Sequence, residues 1–544
     1  MKKVKFVFLA VILILLIGSI SYYIYLPALN IHSSDFWFFI IACFVIATII
    51  SVFLGNRLKL QQKGGGSIDI KLATPLKKNR IFKILLISTL LLFLVFIIGS
   101  ILSSPIINAR KYRDLIDIET RDFSEDVKEI SFNDIPILDK DSAALLASRK
   151  MGSMVEFVSQ FEVADNYAQI NQNDTPVRVT PLKYANIFKW LTNRGSGLPA
   201  YMKIDMTTQI AECVKLSEGI KYSESEHFGR YIQRYLRFNY PTYIFDTLNF
   251  EVNDDGTPYW VCPVKDFTIG LFGGQSIQKV ILVNAVTGEL TNYNVADVPT
   301  WIDRVYSSEL LISYYNYYGT LKHGYFNSLL SQKDCLQTTE GYNYIALDND
   351  VWVYTGITSV TSDESIVGFV LMNQRTAETR YYSIAGAKEY SAMGSAEGKV
   401  QNLSYAATFP LLLNIQKQPT YFIALKDAAG LVKKYAMVNI QQYTVVAIGD
   451  TITECESDYI TQLKDSNISV KDTTNDAKVT GTIRKISECV IDGNSHYFIL
   501  LDGRSAIYDI AVSDNISIVS YSIGDQITLS YIEGTDYNSV TTIQ

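Results

Sequence analysis

Three long apolar runs without a charged side chain dominate the first 103 residues of this sequence. They cover residues 6–27, 36–55 and 84–102. Each is about 19–22 residues long, which at ~1.5 Å per residue is enough for a helix to cross a hydrocarbon layer of ~30 Å. Because a lipid-embedded backbone must satisfy its own hydrogen bonds, the sequence predicts three transmembrane helices over these ranges.

The positive charges around these runs predict an orientation. Three lysines precede the first run and eight Lys and Arg residues lie between the second and third, whereas residues 28–35 contain none. Since basic loops remain in the cytoplasm, we expect a cytoplasmic N-terminus and an extracytoplasmic region over residues 104–544. Tyr22, Tyr23 and Trp37 then fall at the outer interface, where amphipathic rings are favoured.

The first run could instead be a cleaved signal peptide. Its basic start fits that alternative, but the run exceeds the usual 7–15 apolar residues and no A-x-A-like site follows it. No run contains an ionisable side chain that would mark an ion or proton path, so we expect an anchor rather than a transporter.

Charge and composition divide the chain at the end of the third run. Residues 1–103 carry 11 Lys and Arg against 2 Asp and Glu, and the remaining residues carry 37 against 53. An acidic region of this size argues against general nucleic-acid binding, which needs cationic surface. With 12% aromatic and 19% charged residues, the chain is too apolar to be disordered.

A pattern of a helical stretch, a turn and two strands joined by a Gly or acidic turn recurs four times after residue 140. The clearest strands begin near residues 176, 258, 351 and 419, and their apolar and polar alternation predicts strands buried on one face. The helices that precede them are predicted over residues 141–161, 225–238, 301–330 and 387–403. A helix covering a small antiparallel sheet predicts the α+β class.

Residues 283–289 (VNAVTGE) resemble the PepSY module, in which a strand ends in a Val-Asp-x-x-Thr-Gly-Glu turn; Asn284 stands at the Asp position. The chain is also similar to a family of large bacterial membrane-anchored envelope proteins of uncharacterised function with PepSY-like repeats. The stretches that carry this second similarity are residues 188–190, 258–261, 355–360, 363–365 and 425–433. Both resemblances imply binding or regulation, with secreted peptidases as one class of partner, and neither supplies a catalytic residue.

The predicted domain boundaries follow from these patterns. They are the transmembrane part at 1–103, a polar connector at 104–140, four PepSY-like modules at 141–220, 221–298, 299–385 and 386–466, a linker at 467–478 and a C-terminal unit at 479–544. The last unit reads as five short strands, similar to a small OB-like β-barrel. Its only cations, Arg484, Lys485 and Arg504, are too few for a nucleic-acid groove.

The sequence offers no recognisable catalytic or cofactor motif. Its four histidines form no H-E-x-x-H, and no P-loop, G-x-S-x-G elbow or dinucleotide fingerprint is present. We therefore expect no enzyme activity, no metal and no cofactor. The six cysteines include no C-x-x-C, so a complete disulfide framework is not expected, although one pair such as Cys455 and Cys489 can form.

The candidate interaction residues lie in the connection after the first long strand of each module. They are Phe188, Lys189, Trp190, Phe267, Gly273, Gly274, Asp363, Glu364, Lys426, Asp427 and Gly430. If the modules share a fold, these tips occupy equivalent ends and could build one ligand surface. The alternative is that they are ordinary hairpin turns with unrelated sequences.

These observations predict a membrane-anchored, non-catalytic extracytoplasmic binding, scaffold or regulatory protein of the bacterial cell envelope. Its expected partners are membrane lipid and an envelope protein, such as a peptidase or a cell-wall assembly component. Two alternatives remain at this point. One is an envelope hydrolase that uses acidic residues such as Asp363 and Glu364, and the other is an accessory subunit of a membrane transport complex.

Overall fold

The computed structural model has a mixed α+β fold in which apolar helices precede a series of sheets. It describes residues 2–55, 58–63, 67–72, 80–129, 135–173, 175–347, 349–360, 365–466, 468, 477–491, 494–512, 515–532 and 537–543.

The N-terminal part consists of long helices joined by a short loop and a hairpin. Its elements are α1 (Lys2–Tyr25), α2 (Ser34–Gly55), β1 (Leu58–Lys63), β2 (Ser67–Leu72) and α3 (Arg80–Leu102). Two helices, over Ser34–Val52 and Arg80–Leu102, are long and apolar enough to cross a membrane. Helix α1 covers most of the first predicted run, and its crossing of a membrane stays a prediction.

The segment predicted as a polar connector is structured. It contains α4 (Pro105–Arg113), β3 (Ile118–Thr120) and α5 (Phe123–Asp126). Strand β3 pairs in parallel with residues 379–381. It therefore adds a strand to a sheet that the sequence analysis assigned entirely to residues 299–385. The connector therefore contributes a strand to the third sheet.

The first sheet follows a single helix. Its elements are α6 (Lys140–Gly152), β4 (Phe161–Val163), β5 (Ala168–Gln172), β6 (Thr175–Tyr184), α7 (Ile187–Asn193), β7 (Leu198–Asp205) and β8 (Ala211–Ile220). The second has α8 (Ile232–Asn239), β9 (Ile244–Phe245), β10 (Asn249–Val252), β11 (Pro258–Ile269), β12 (Gly273–Asn284) and β13 (Leu290–Asn294).

The third sheet is preceded by two helices. Its elements are α9 (Ser308–Thr320), α10 (Tyr325–Leu329), β14 (Leu336–Thr338), β15 (Asn343–Leu347), β16 (Asp350–Ser359), β18 (Gly368–Asn373) and β19 (Thr379–Tyr382). Two further short strands, β17 (Ser365–Ile366) and β20 (Gly386–Ala387), pair only with each other. The fourth has α11 (Glu389–Lys399), β21 (Ala406–Ala407), β22 (Leu411–Ile415), β23 (Gln418–Lys426), β24 (Val432–Asn439), β25 (Val446–Gly449) and α12 (Ile452–Asp465).

These four sheets share one connectivity. In each, two short successive strands pair side by side with one long strand, the long strand forms a hairpin with the next strand, and that strand pairs with a last one. The long strands are β6, β11, β16 and β23. The sequence pattern identifies the long strands and their hairpins, but the short strands before them escape it because they are too short to show a period. Helix α12 was not predicted either, although its buried residues Cys455, Tyr459 and Leu463 recur every four positions.

The predicted helices are longer than the observed ones. The range 141–161 ends as a helix at Gly152, and the range 301–330 is divided into α9 and α10 at Gly324, whose φ of +87° no helix accommodates. Beyond α6, Met154 and Phe157 pack against the first core from a turn, whereas Val155 is exposed.

The sheets are stacked face to face, and the inner ones are buried on both sides. Successive side chains of a strand point to opposite faces. On β11, Trp260 packs into the core shared with the first sheet, whereas Val261 packs into the core shared with the third. On β16, Val353 packs toward the second sheet and Tyr354 toward the fourth, while α12 covers the outer face of the fourth sheet through Tyr459. The expectation of strands buried on one face is wrong for these inner strands, because a layer covers each face.

The C-terminal strands are β26 (Ala477–Ile491), β27 (Asn494–Leu501), β28 (Ile507–Ala511), β29 (Gln526–Ile532) and β30 (Asn538–Ile543). Strand β26 pairs with β27 and β29, β27 with β28, β29 with β30, and β28 in parallel with β30. Their resemblance to an OB-like barrel stays a prediction. Residues 467 and 469–476 of the predicted linker lie outside the described residues.

Two carboxylic acids lie buried where the first three sheets meet. Glu251 accepts the backbone N–H groups of Asp303 and Arg304, each at 3.0 Å, and Asp303 accepts the N–H of Asn171 at 2.6 Å. The guanidinium of Arg304 donates to the hydroxyl of Tyr344 at 3.3 Å. Burial raises the pKa of Glu251 to about 7, and burial together with the charge of Glu251 raises the pKa of Asp303.

Replacing Asp303 with Asn tests this pair. A raised pKa in the folded chain means that the contribution of Asp303 to stability is fully present below its unfolded pKa, about 4, and is lost as the pH rises through the folded value. Asparagine keeps an acceptor for the N–H of Asn171 and carries no charge. We expect the thermal midpoint of D303N in detergent to exceed that of the native chain at pH 8. The increase should be about 2–4 °C for each kcal/mol by which removal of the buried charge raises the free energy of unfolding. The difference between the two midpoints should shrink toward pH 4.

The matched control is D117N, because Asp117 is exposed and its replacement leaves the buried pair intact. A D303N midpoint below that of the native chain at pH 8, or an unchanged dependence on pH, would contradict this description of the pair.

Candidate functional site

The hairpin turn between β11 and β12 lies against the C-terminal end of α3. Ser103, just beyond that helix, accepts the N–H groups of Leu271 at 2.8 Å and Phe272 at 3.1 Å through its hydroxyl oxygen. The same hydroxyl donates to the carbonyl oxygen of Gly99 at 2.6 Å, so it is fully hydrogen-bonded although buried. The second sheet is thus joined directly to the helical segment.

Aromatic rings surround this junction. Phe272 packs against Phe96 of α3, with ring centroids 5.1 Å apart, and against Trp37 of α2 at 6.4 Å. In the loop between α1 and α2, His32 donates through Nδ1 to the carbonyl oxygen of Leu271 at 2.8 Å and stacks on Phe267. These contacts hold the ends of α2 and α3 against one hairpin.

Glycines make the approach of the hairpin possible. A Cβ atom on Gly273 would overlap the carbonyl oxygen of Ser103 and the hydroxyl of Tyr112, and Gly270 and Gly274 each have a φ of +62°. Gly273 and Gly274, predicted as interaction residues, therefore serve close packing inside the chain.

Helix α8 holds the end of α1 through a buried arginine. Arg237 donates to the carbonyl oxygens of Leu26 at 2.8 Å and Tyr243 at 2.6 Å. A cation is favourable there because the last carbonyl groups of a helix carry partial negative charge. Burial lowers the pKa of Arg237, and the N–H of Leu29 donates to the carbonyl oxygen of Pro241 at 2.8 Å.

A cleft with a volume of about 770 Å³ opens beside this junction. Tyr25, Leu26 and Asp35 of the helical segment form part of its wall, and the first and second sheets and their connecting segments form the rest. The apolar lining from these sheets and segments includes Leu182, Leu236, Phe245, Leu248 and Trp260. The cleft is therefore built jointly from residues at the end of α1 and residues more than 130 positions later.

Carboxylates outnumber cations in the cleft. The carboxylates are Asp35, Asp165, Glu224 and Asp246, and the cations are Lys183 and Arg237. Lys183 pairs with Asp165 at 3.0 Å, and Lys265 pairs with Asp246 at 3.0 Å. Asp35 and Glu224 form no ion pair with the described residues, although Asp35 interacts electrostatically with Arg237 and burial raises the pKa of Glu224. The cleft therefore combines apolar walls with two carboxyl groups that no salt bridge holds.

The first predicted tip contacts the segment that precedes α8. Trp190 is buried, and its indole N–H donates to Glu226 at 2.8 Å, while the hydroxyl of Tyr184 donates to the same carboxylate at 2.7 Å. Lys189 is half-buried on α7, and Phe188 beside it is exposed. Of this predicted trio, Phe188 presents the most surface to a partner.

The tip of the fourth sheet contacts α6 instead. Lys426 forms an ion pair with Asp139, the N-cap residue of that helix. Asp427 accepts the N–H groups of Ala429 and Leu431 and so closes the turn, in which Gly430 has a φ of +75°. Asp363 and Glu364, predicted for the third tip, lie outside the described residues.

The three described tips thus make their contacts with different parts of the chain, and a shared interaction surface stays a prediction. Sequence reasoning missed Arg237 and Asp35, which line the cleft, and Ser103, which joins α3 to the second sheet. None of these three residues belongs to a sequence motif. The only signal in the sequence is that each lies near an apolar run or in a predicted helix.

The described residues contain no group of three or more His, Cys, Asp or Glu side chains placed to hold a metal ion. All six cysteines are free; Cys455 is buried on α12 and Cys489 is exposed on β26. The disulfide between them that the sequence allowed is not formed.

No family model matches the chain, and no curated protein matches it either. The resemblance to PepSY modules therefore rests on the motif residues alone.

The glycine at the junction provides a test of the docking. Gly273→Ala places a methyl group against the backbone of Ser103, and we expect an overpacking cost of about 1–3 kcal/mol. The measurement is the thermal midpoint of the full chain in detergent, together with proteolysis of the 270–274 turn.

The matched control is Gly152→Ala at the exposed end of α6, where a Cβ meets nothing within 4 Å. We expect G152A to be neutral or slightly stabilising, because alanine favours helix. Equal midpoints for the two variants would show that the hairpin is not packed against Ser103.

Proposed function

We propose that this chain is a membrane-anchored, non-catalytic binding or scaffold protein of the bacterial cell envelope, and that its cleft binds an extended segment of an envelope protein. In this proposal α1, α2 and α3 all cross the membrane, the N-terminus is cytoplasmic, and residues 104–544 are extracytoplasmic. The sheets then form four PepSY-like modules, followed by an OB-like barrel that is structural or binds protein.

Exposed apolar side chains on the long helices support the anchor. Leu90, Leu91 and Phe93 of α3 are each more than half exposed, as is Phe38 of α2. Such a surface is unfavourable in water and favourable in hydrocarbon, at roughly 25 cal/mol per Å². The alternative of an accessory subunit would cover part of the same surface with helices of a larger membrane complex.

The observation that carries the binding proposal is the shared construction of the cleft. The end of α1 supplies one wall and two sheets supply the others, while hydrogen bonds from Arg237 and to Ser103 fix their relative positions. A preformed cavity of this size is within the range of about 300–1,000 Å³ that is typical of ligand sites.

The chemistry of the lining selects the kind of occupant. The carboxyl groups of Asp35 and Glu224, which form no ion pair with the described residues, favour basic groups, and Leu248, Phe245 and Trp260 favour apolar side chains. A partner segment that contains both basic and apolar side chains meets these two requirements. A partner that emerges from the same membrane would present such a segment next to the end of α1. The envelope hydrolase alternative depends on Asp363 and Glu364, which lie outside the described residues.

Filling the cleft tests the proposal. Ser225 lines the cleft, and we expect Ser225→Trp to reduce partner capture by a photo-crosslinking residue at the neighbouring lining position Gln233. The expected loss in intact cells is about tenfold, equivalent to about 1.4 kcal/mol of binding free energy. The measurement is the yield of crosslinked envelope protein from the full-length chain.

The matched control is Ser457→Trp on the exposed face of α12, which should leave the yield unchanged. Equal yields for S225W and S457W would overturn the assignment of the cleft. Capture of a polytopic partner by residues 1–103 alone would favour the transport accessory instead.

A further inference from the structure

Exposed phenylalanines are concentrated near the ends of the long helices. Among the described residues beyond position 104, four phenylalanine side chains are more than half exposed: Phe188 (72%), Phe228 (63%), Phe238 (56%) and Phe326 (68%). Single exposed apolar residues are ordinary, but a clustered set marks an interaction site.

The first group lies beside the C-terminal end of α1. Phe238 contacts the rings of Tyr22 and Tyr23, each at 6.2 Å between centroids. Arg234 places its guanidinium 4.0 Å from the centre of the Tyr23 ring and donates to the carbonyl oxygen of Phe228 at 3.0 Å. We call this group, with Phe188 and its α7 neighbours Ile187 and Leu191, the first patch.

Helix α7 belongs to the same surface because its buried tryptophan touches the exposed ring of the neighbouring segment. The ring centroids of Trp190 and Phe228 are 5.9 Å apart. Ile187, Phe188 and Leu191 of α7 are all more than 45% exposed. The buried ring of Trp190 thus connects α7 to the segment that carries Phe228.

The second group lies beside the end of α3. Helix α4 begins three residues after α3, and Asn108 donates to the carbonyl oxygen of Leu102 at 2.7 Å. Tyr325 of α10 packs in one cluster with Tyr112 of α4. The exposed apolar side chains here are Ile106, Ile107, Phe326, Leu329 and Leu330, which we call the second patch.

Both patches carry cations although the region beyond the helices is acidic overall. Lys189, Arg194, Arg230 and Arg234 lie within a few positions of first-patch residues along the chain, and Lys111, Lys322 and Lys333 lie near second-patch residues. The carboxylate next to Lys333, that of Asp334, pairs with His323. None of these seven forms an ion pair with the described residues. Aromatic rings with unpaired cations are the combination that favours a membrane interface with anionic lipid.

We infer that the two patches rest on the surface of the bilayer, one on each side of the helical segment, with their apolar side chains in the headgroup region and their cations on the phosphates of anionic lipid. This inference rests on the proposed membrane anchor and adds a second, peripheral contact to it. The sheets would then be held at a fixed height and tilt, with the cleft open along the membrane surface.

Spin labels on the full chain in lipid nanodiscs test the inference. One label is placed at F188C and one at F326C, each in a C489S background, and the native Cys489 provides the control position because it is exposed on a C-terminal strand. The C489S chain alone measures background labelling. Relative accessibility to oxygen and to a water-soluble nickel chelate reports the depth of each label.

In discs of phosphatidylcholine with phosphatidylglycerol we expect nickel accessibility at both test positions to be several-fold lower than at Cys489. In discs of phosphatidylcholine alone we expect shallower labels, because the cations then lose their anionic partners. Equal depth in the two lipids would overturn the role given to the cations.

Labels as accessible to nickel as Cys489, in a chain that remains integrated in the disc, would overturn the inference and leave the anchor standing. A chain that does not integrate would overturn both the anchor and the inference that depends on it.

Discussion

The hydrogen bonds of one serine hydroxyl determine how the sheets meet the helical segment. Ser103 joins the last turn of α3 to the hairpin of the second sheet, and the glycine at position 273 allows the two backbones to come that close. Arg237 makes the corresponding connection to the end of α1. Because these contacts involve two different helices, they restrict both the distance of the second sheet from the helix ends and its rotation relative to them.

The stack of sheets extends this restriction through the rest of the chain. Trp260 and Val261, adjacent on β11, enter two different cores, so the second sheet cannot move without its neighbours. The third sheet is connected in the same way and also takes β3 from the segment that leaves α3. A movement of the helical segment would therefore be transmitted through the packed sheets. The buried acids Glu251 and Asp303 lie where the first three of these sheets meet.

Sequence patterns predicted the parts of this structure that are local. The three apolar runs, the strand around Trp260 and the hairpin glycines at 270–274 are visible because hydrophobic length, alternation and turn chemistry act over a few residues. The short strands that flank each long strand were not visible, since two to five residues carry no period. The cleft was not visible either, because Asp35, Glu224 and Trp260 meet only through tertiary packing.

The most direct test of this account is hydrogen exchange of the full chain in lipid nanodiscs, read on peptides that cover residues 28–33 and 268–275. The amide groups of Leu29, Leu271 and Phe272 are donors to the junction. The account predicts exchange as slow as that of the β12 amides. Exchange at the rate of an open loop would mean that the sheets are not docked on the helices.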